Sequence, residues 1–246
     1  MAKHTKINAK DHYFLEVSDR HPANTYFHFS FADYYDPENM NFGVLRVLND
    51  DNVKPHDGFN THPHQNMEII SYIVSGKLTH RDNFGNHEVL SRGHVQNMSA
   101  GTGLMHSELN EQTEWCRLLQ LWVLPERPNL PVRFGFQKYT LEDRINKLLQ
   151  ILSGSTNKDD AAHYASQDVN IYVSELTSKE KSVNFTLNEG RQAYMYCFEG
   201  SINIKDYPSL EEQDVLKIYD VAELEIALSA DNAHFMIIEM QLDKAH

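Results

Sequence analysis

Short runs of β-branched, aromatic and aliphatic residues dominate the first half of the chain: TYFHFSF (25–31), FGVLRVLND (42–50), EIISYIVSG (68–76), KLTHRDN (77–83) and RLLQLWVL (117–124). Gly, Pro and Asn-Asp pairs punctuate them. Runs of this length between turn formers predict strands, and their rhythm predicts an antiparallel barrel or sandwich. PERPNLPVRFGF (125–136) has three prolines and no useful period, which predicts a linker or an irregular strap. YTLEDRINKLLQILSGS (139–155) reads two ways. Thr140 and Asp143 have capping-box spacing, and Leu141, Ile145, Leu148, Leu149 and Leu152 fall on one helical face. Equally, LLQILSG reads as a buried strand. STNKDDAAHYASQD (155–168) is polar and predicts a loop, and VNIYVSEL (169–176) resumes the strand pattern.

A faint repeat links the halves. SYIVSGKLTH (71–80) and MYCFEGSINI (195–204) each place Tyr four residues before Gly, followed by a short strand-like run. Superposing Gly76 on Gly200 gives an offset of 124 residues, about half the chain. The expectation is an all-β protein of two tandem barrels, residues 1–135 and 136–246. The same offset maps His62, His64 and Glu68 onto Thr186, Asn188 and Gln192, so the second copy lacks the residues that give the first its interest.

Composition narrows the function classes. With 22 Lys+Arg against 35 Asp+Glu in 246 residues, the net charge of −13 gives no reason to hold phosphate backbones or anionic membranes. No stretch approaches the roughly 18 apolar residues of a membrane span. The opening MAKHTKINAK lacks the apolar segment of a secretory signal, so a cytoplasmic location is expected. Cys116 and Cys197 lie far apart in apolar surroundings and read as buried free thiols.

The candidate chemistry lies in THPHQNME (61–68) and SAGTGLMHSELN (99–110). On a helix, His62 and His64 point about 200° apart; on a strand they share a face, and Pro63 opposes helix. Chance alone produces a His-x-His pair among 14 histidines, so the second block decides. There His106 and Glu108 repeat the i, i+2 spacing after a Gly-rich turn. Two same-face pairs on neighbouring strands converge. Three imidazoles and a carboxylate suit one divalent ion such as Fe(II), Ni(II), Mn(II), Cu(II), Co(II) or Zn(II), and with an octahedral ion leave coordination positions open. Met67, Met98 and Met105 flank this centre, either as core filling or as an apolar pocket wall. His56, His80, His87 and His94 read as solvated or structural histidines, and His56 or Gln65 as edges of a pocket at most. Trp122 and the aromatic stripe FHFSFADYYD (27–36) read as core.

Together, HPHQNMEIISYIVSG and MSAGTGLMHSE resemble the pirins, a branch of the cupin superfamily, over roughly residues 25–135. The resemblance implies a bicupin of two double-stranded β-helix barrels whose N-terminal barrel binds one metal, usually iron, through His62, His64, His106 and Glu108. Cupins in general take their acidic ligand four residues after the second histidine, here Glu68. The pirin pattern assigns that role to Glu108 and leaves Glu68 as the alternative ligand or as a partner that orients an imidazole N–H. By the same resemblance the chain is expected to be an oxidoreductase of quercetin 2,3-dioxygenase type. It would open a planar flavonol with dioxygen, with Glu108 also serving as general base. Acireductone-type chemistry on the same cage is a further enzymatic reading. The non-enzymatic reading is a redox-sensing regulator acting through protein partners, without direct nucleic-acid contact.

Overall fold

The computed structural model of the chain describes residues 3–154, 164–179 and 181–243. The early strands are β1 (Lys3–Ile7), β2 (Tyr13–Leu15), β3 (Ala23–Phe27), β4 (Leu45–Val53), β5 (Asp57–His64) and β6 (Glu68–Ser75). Next come β7 (Lys77–Asp82), β8 (His87–Ser91), β9 (His94–Ser99), β10 (Leu104–Asn110), β11 (Cys116–Val123) and β12 (Arg133–Lys138). The single-turn α1 (Leu141–Arg144) leads to β13 (Leu149–Leu152), β14 (Val169–Leu176), β15 (Ser182–Leu187), β16 (Arg191–Ile204), β17 (Val215–Tyr219) and β18 (Ala222–Gln241). None of the described helices is long and apolar enough to cross a membrane.

Two compact units emerge. The front unit holds Tyr13–Tyr139 with Ala165–Gln167; the other holds residues 1–12, Thr140–Tyr164 and Asp168–His246. The expected division at 135/136 groups residues 1–12 with the front barrel, whereas β1 pairs antiparallel with β17 of the second unit.

The front unit sets a seven-stranded sheet, β12-β9-β6-β11-β4-β3-β2, beside a four-stranded sheet, β5-β10-β7-β8. In β6 every residue from Glu68 to Val74 is buried, which explains its near-continuous apolar run. Ile73, Leu78, Leu90, Cys116 and Leu118 pack one core cluster, and Ile69, Met98, Ala100 and Leu104 another. The segment expected to be an irregular strap is so only through its prolines. From Arg133 the chain is proline-free and pairs along β9, from Arg133↔Ser99 to Lys138↔His94. The Asn-Asp pair that closes the expected run 42–50 also fails to end the strand, because β4 continues through Asp51 and Asn52 to Val53. Asp50 is held by Arg117 at 2.7 Å and Asp51 by Thr25. Partners of this kind let acidic residues stay in a buried ladder.

The second unit is built on two long strands: β16 pairs with both β17 and β18, while β18 also carries β14 and β15. Leu176, Met195, Ile218, Leu224, Phe235 and Ile237 belong to its core. The capping box at Thr140 is real, with the Thr140 amide donating to Asp143 Oδ2 at 2.7 Å, but it opens only one turn. Asn146 adopts φ +52° and the chain turns into β13, so the strand reading holds for Leu149–Leu152, and the helical face expected through Leu152 stops after one turn. The predicted loop 155–168 falls largely on residues 155–163, outside the described residues. Cys116 and Cys197 are buried free thiols as expected, and burial pushes both thiol pKa values up.

The faint repeat has a physical cause. Gly76 and Gly200 both take left-handed backbone, φ +74° and +70°. A Cβ on Gly76 would lie 2.4 Å from the Trp115 carbonyl oxygen, and one on Gly200 1.9 Å from that of Asn232. Only glycine fits a left-handed turn pressed this closely on a neighbouring strand.

Candidate metal centre

β5 and β10 are antiparallel neighbours, with His62 opposite His106 and His64 opposite Leu104. β5 ends the four-stranded sheet, so Pro63 sits on an edge strand, where a missing amide proton is tolerated. A register shift between His106 and Glu108 sets Glu108 opposite Phe59, and Gly58 lets the Glu108 backbone close in.

The three imidazoles meet. Ring centroids are 4.4 Å apart for His62–His106 and 4.8 Å for His62–His64 and His64–His106. One donor atom from each lies within 4.8 Å of the others. His62 Nδ1 lies 2.7 Å from the Asn60 carbonyl oxygen; a carbonyl only accepts, so Nδ1 carries the proton and Nε2 keeps its lone pair. His64 stands edge-on to Trp122 at 4.9 Å. Burial, followed by the neighbouring imidazoles, pushes the pKa of His64 and of His106 down to about 3. Both rings are therefore neutral at ordinary pH.

Glu108 belongs to a second, overlapping group with His106 and His80, again within 4.8 Å. It accepts from Ser71 Oγ at 2.9 Å and Gln120 Nε2 at 2.7 Å, while burial raises its pKa against the lowering effect of His80 and these donors. Thus His106 joins the imidazole trio to the carboxylate, and the four expected ligands do not form one mutually close set.

The sequence alone reads His80 as a solvated or structural histidine. It is fully buried, directly opposite Glu108 on the adjacent β7, and stacked on Phe134 at 4.8 Å. Its Nδ1 has no hydrogen-bond partner. The available signal was phase: within KLTHRDN, His80 shares strand parity with Leu78, so it belongs to the core face.

Glu68 lies elsewhere. Ser99 Oγ donates to it at 2.7 Å, Arg133 stands 3.9 Å away, and it joins neither group of metal-binding atoms. Met98 is core, and Met67 packs against the same cluster. Met105 is 44% exposed beside a separate recess that includes Pro63 and His64. A second cavity, of about 450 Å³, is reached by His62, His64 and Glu108 and is walled by Phe31, Phe59 and Trp122 instead of the three methionines. Trp122, read as core in the sequence, is therefore also a wall of this cavity.

The residues fit a divalent metal. Both ring nitrogens of His106 are buried without a hydrogen-bond partner, a costly arrangement unless a nitrogen donates its lone pair elsewhere. Neutral imidazoles beside a carboxylate form a borderline donor set for which divalent transition ions compete.

Two strand-built units, the front one gathering imidazoles and a carboxylate on its inner strands, define a bicupin with one metal-type centre. Residues 12–123 match the Pirin family model, and residues 150–240 the model described as the quercetinase C-terminal cupin domain. The chain is 34% identical over 226 residues to the quercetin 2,3-dioxygenase of Escherichia coli K12, covering 89% of this chain and 95% of that one. It is also 34% identical over 230 residues to a pirin-like protein of Caulobacter vibrioides, covering 91% and 95%. The crystal structure of the bacterial pirin YhhW from Escherichia coli in complex with nickel(II) matches with a TM-score of 0.87 and 28% identity, covering 98% of this chain and 100% of that one. The chain belongs to the pirin family.

Proposed function

We propose that this chain is a metal-dependent dioxygenase that opens the central ring of a flavonol such as quercetin. The observation that carries the reading is an aromatic-walled cavity reached by His62, His64 and Glu108, with His106 shared between the imidazole trio and the group that holds Glu108. The names of the relatives support the same substrate class. Fe(II) is the proposed ion; the nickel(II) complex of YhhW makes nickel the first alternative to assay.

His62, through Nε2, and His64 and His106, held neutral by burial, would hold the ion with Glu108. Bound there, a divalent cation supplies Lewis acidity that lowers the pKa of a coordinated hydroxyl. Glu108, fixed by Ser71 and Gln120, accepts the proton of the flavonol 3-hydroxyl. Trp122, Phe31 and Phe59 receive the planar rings and exclude water. Both atoms of dioxygen are consumed, and the products are a ring-opened carboxylate and carbon monoxide.

The test is metal analysis of protein purified without added ions, then oxygen uptake and carbon monoxide release on quercetin with that ion restored. Turnover lost in Glu108→Gln and His62→Ala is expected. Full metal occupancy without turnover of any flavonol would sink the enzyme reading and favour a regulatory metal protein.

A further inference from the structure

The proposed reaction leaves a proton to be removed. A flavonol plus dioxygen gives carbon monoxide, a ring-opened carboxylate and one proton, the one first taken from the 3-hydroxyl. Glu108 is buried and bracketed by Ser71 and Gln120, so it needs an onward acceptor.

The same cavity wall carries a hydrogen-bonded chain that the metal centre does not use. Asp51 on β4 and Thr25 on β3 are directly opposite in register, and their side chains meet with Thr25 Oγ1 2.5 Å from Asp51 Oδ1. His21 Nε2 lies 2.8 Å from the same hydroxyl. Burial decreases along the chain: Asp51 and Thr25 are buried, His21 is half-buried, and the neighbouring Arg20 is exposed. Asp51, His21 and Arg20 all line the cavity. Two charged groups bear on Asp51, namely Asp50, which Arg117 holds, and Glu108. Burial pushes the Asp51 pKa up to about 7 against the lowering hydrogen bond from Thr25, and these two carboxylates add to the rise; in that range a carboxyl both takes and gives a proton.

We propose that Asp51, Thr25 and His21 form a proton relay from the buried end of the cavity to its rim, with Asp51 as onward acceptor of the substrate proton. In one transfer the Asp51 O–H bond breaks as Thr25 Oγ1 gains a proton. The Thr25 O–H bond breaks as His21 Nε2 gains one, and His21 releases its Nδ1 proton to water. The hydroxyl both accepts and donates, so no further reactant is needed. This rests on the dioxygenase reading, and Thr25 and His21 are positioning residues that act through Asp51.

The experiment follows proton release with an indicator dye when 4-nitrocatechol binds the metal-loaded chain without oxygen, alongside quercetin turnover. His21→Ala is expected to slow both about tenfold, with KM unchanged, and free imidazole to restore them. Thr25→Val is expected to slow both without imidazole rescue, and Thr25→Ser to keep them. Wild-type rates in His21→Ala, or slowing that imidazole does not relieve, would overturn the relay. Should Thr25→Val fail to fold, the imidazole response of His21→Ala decides. A chain that binds nitrocatechol but never turns over quercetin refutes the dioxygenase reading and leaves the relay to the release rates. No binding at all overturns both.

Discussion

At the scale of single residues, protonation governs the site. His64 and His106 sit near 3 when folded and return to about 6.5 when unfolded, so the unfolded chain binds more protons between those values. Their contribution is fully present above about pH 6.5 and is lost as pH falls toward 3. The metal-free chain is expected to lose thermal stability progressively over that window, and His106→Ala to flatten the loss. Calorimetry across pH checks this; a His106→Ala slope identical to wild type contradicts it. Asp51 has the opposite sign. A carboxyl raised from 3.8 to about 7 contributes less as pH rises through that interval, so Asp51→Asn should raise the melting temperature more at pH 8 than at pH 5. That His62, His64 and His106 come together was legible from strand parity, whereas Glu108, which the family motif adds, groups with His80 and His106. Asp51 and His80 were not legible. Asp51 sits in an Asn-Asp run that reads as a turn, and His80 is a lone histidine whose burial depends on Phe134, distant in sequence.

At the scale of elements, two glycines carry the barrel turns. Gly200→Ala forces a left-handed alanine into the Asn232 carbonyl and should lower stability by more than the roughly 1–3 kcal/mol of backbone strain alone. Gly190 has φ +72° with nothing within 4 Å of a would-be Cβ, so Gly190→Ala should show the strain without the clash. Denaturant midpoints compare the two; equal losses would show that the Asn232 contact is unimportant. Strand identity was legible from short apolar runs. Strand ends were not, because pairing partners set them: β12 exists where β9 offers an open edge, and the apolar face of residues 141–152 goes to β14 after a single helical turn.

At the scale of the whole molecule, the two-barrel plan was legible through the Gly76/Gly200 repeat. The strand exchange at the amino end was not, since KHTKI shows no preference between a near and a distant partner. β1 covers β17 over five register pairs, and Lys6 reaches Asp214 at 2.7 Å. Removing residues 1–8 should therefore destabilise the second unit while leaving metal stoichiometry unchanged. Paired melting curves and metal analysis check both halves, and loss of bound ion together with stability would contradict the separation.

That first strand also sets an order of events. It leaves the ribosome well before its partner β17, which is synthesised some two hundred residues later. The front barrel has all its strands by Lys138 and is free to close while KHTKI still waits. A tag or fusion joined just ahead of Lys3 is thus, in space, attached to the later-made of the two units.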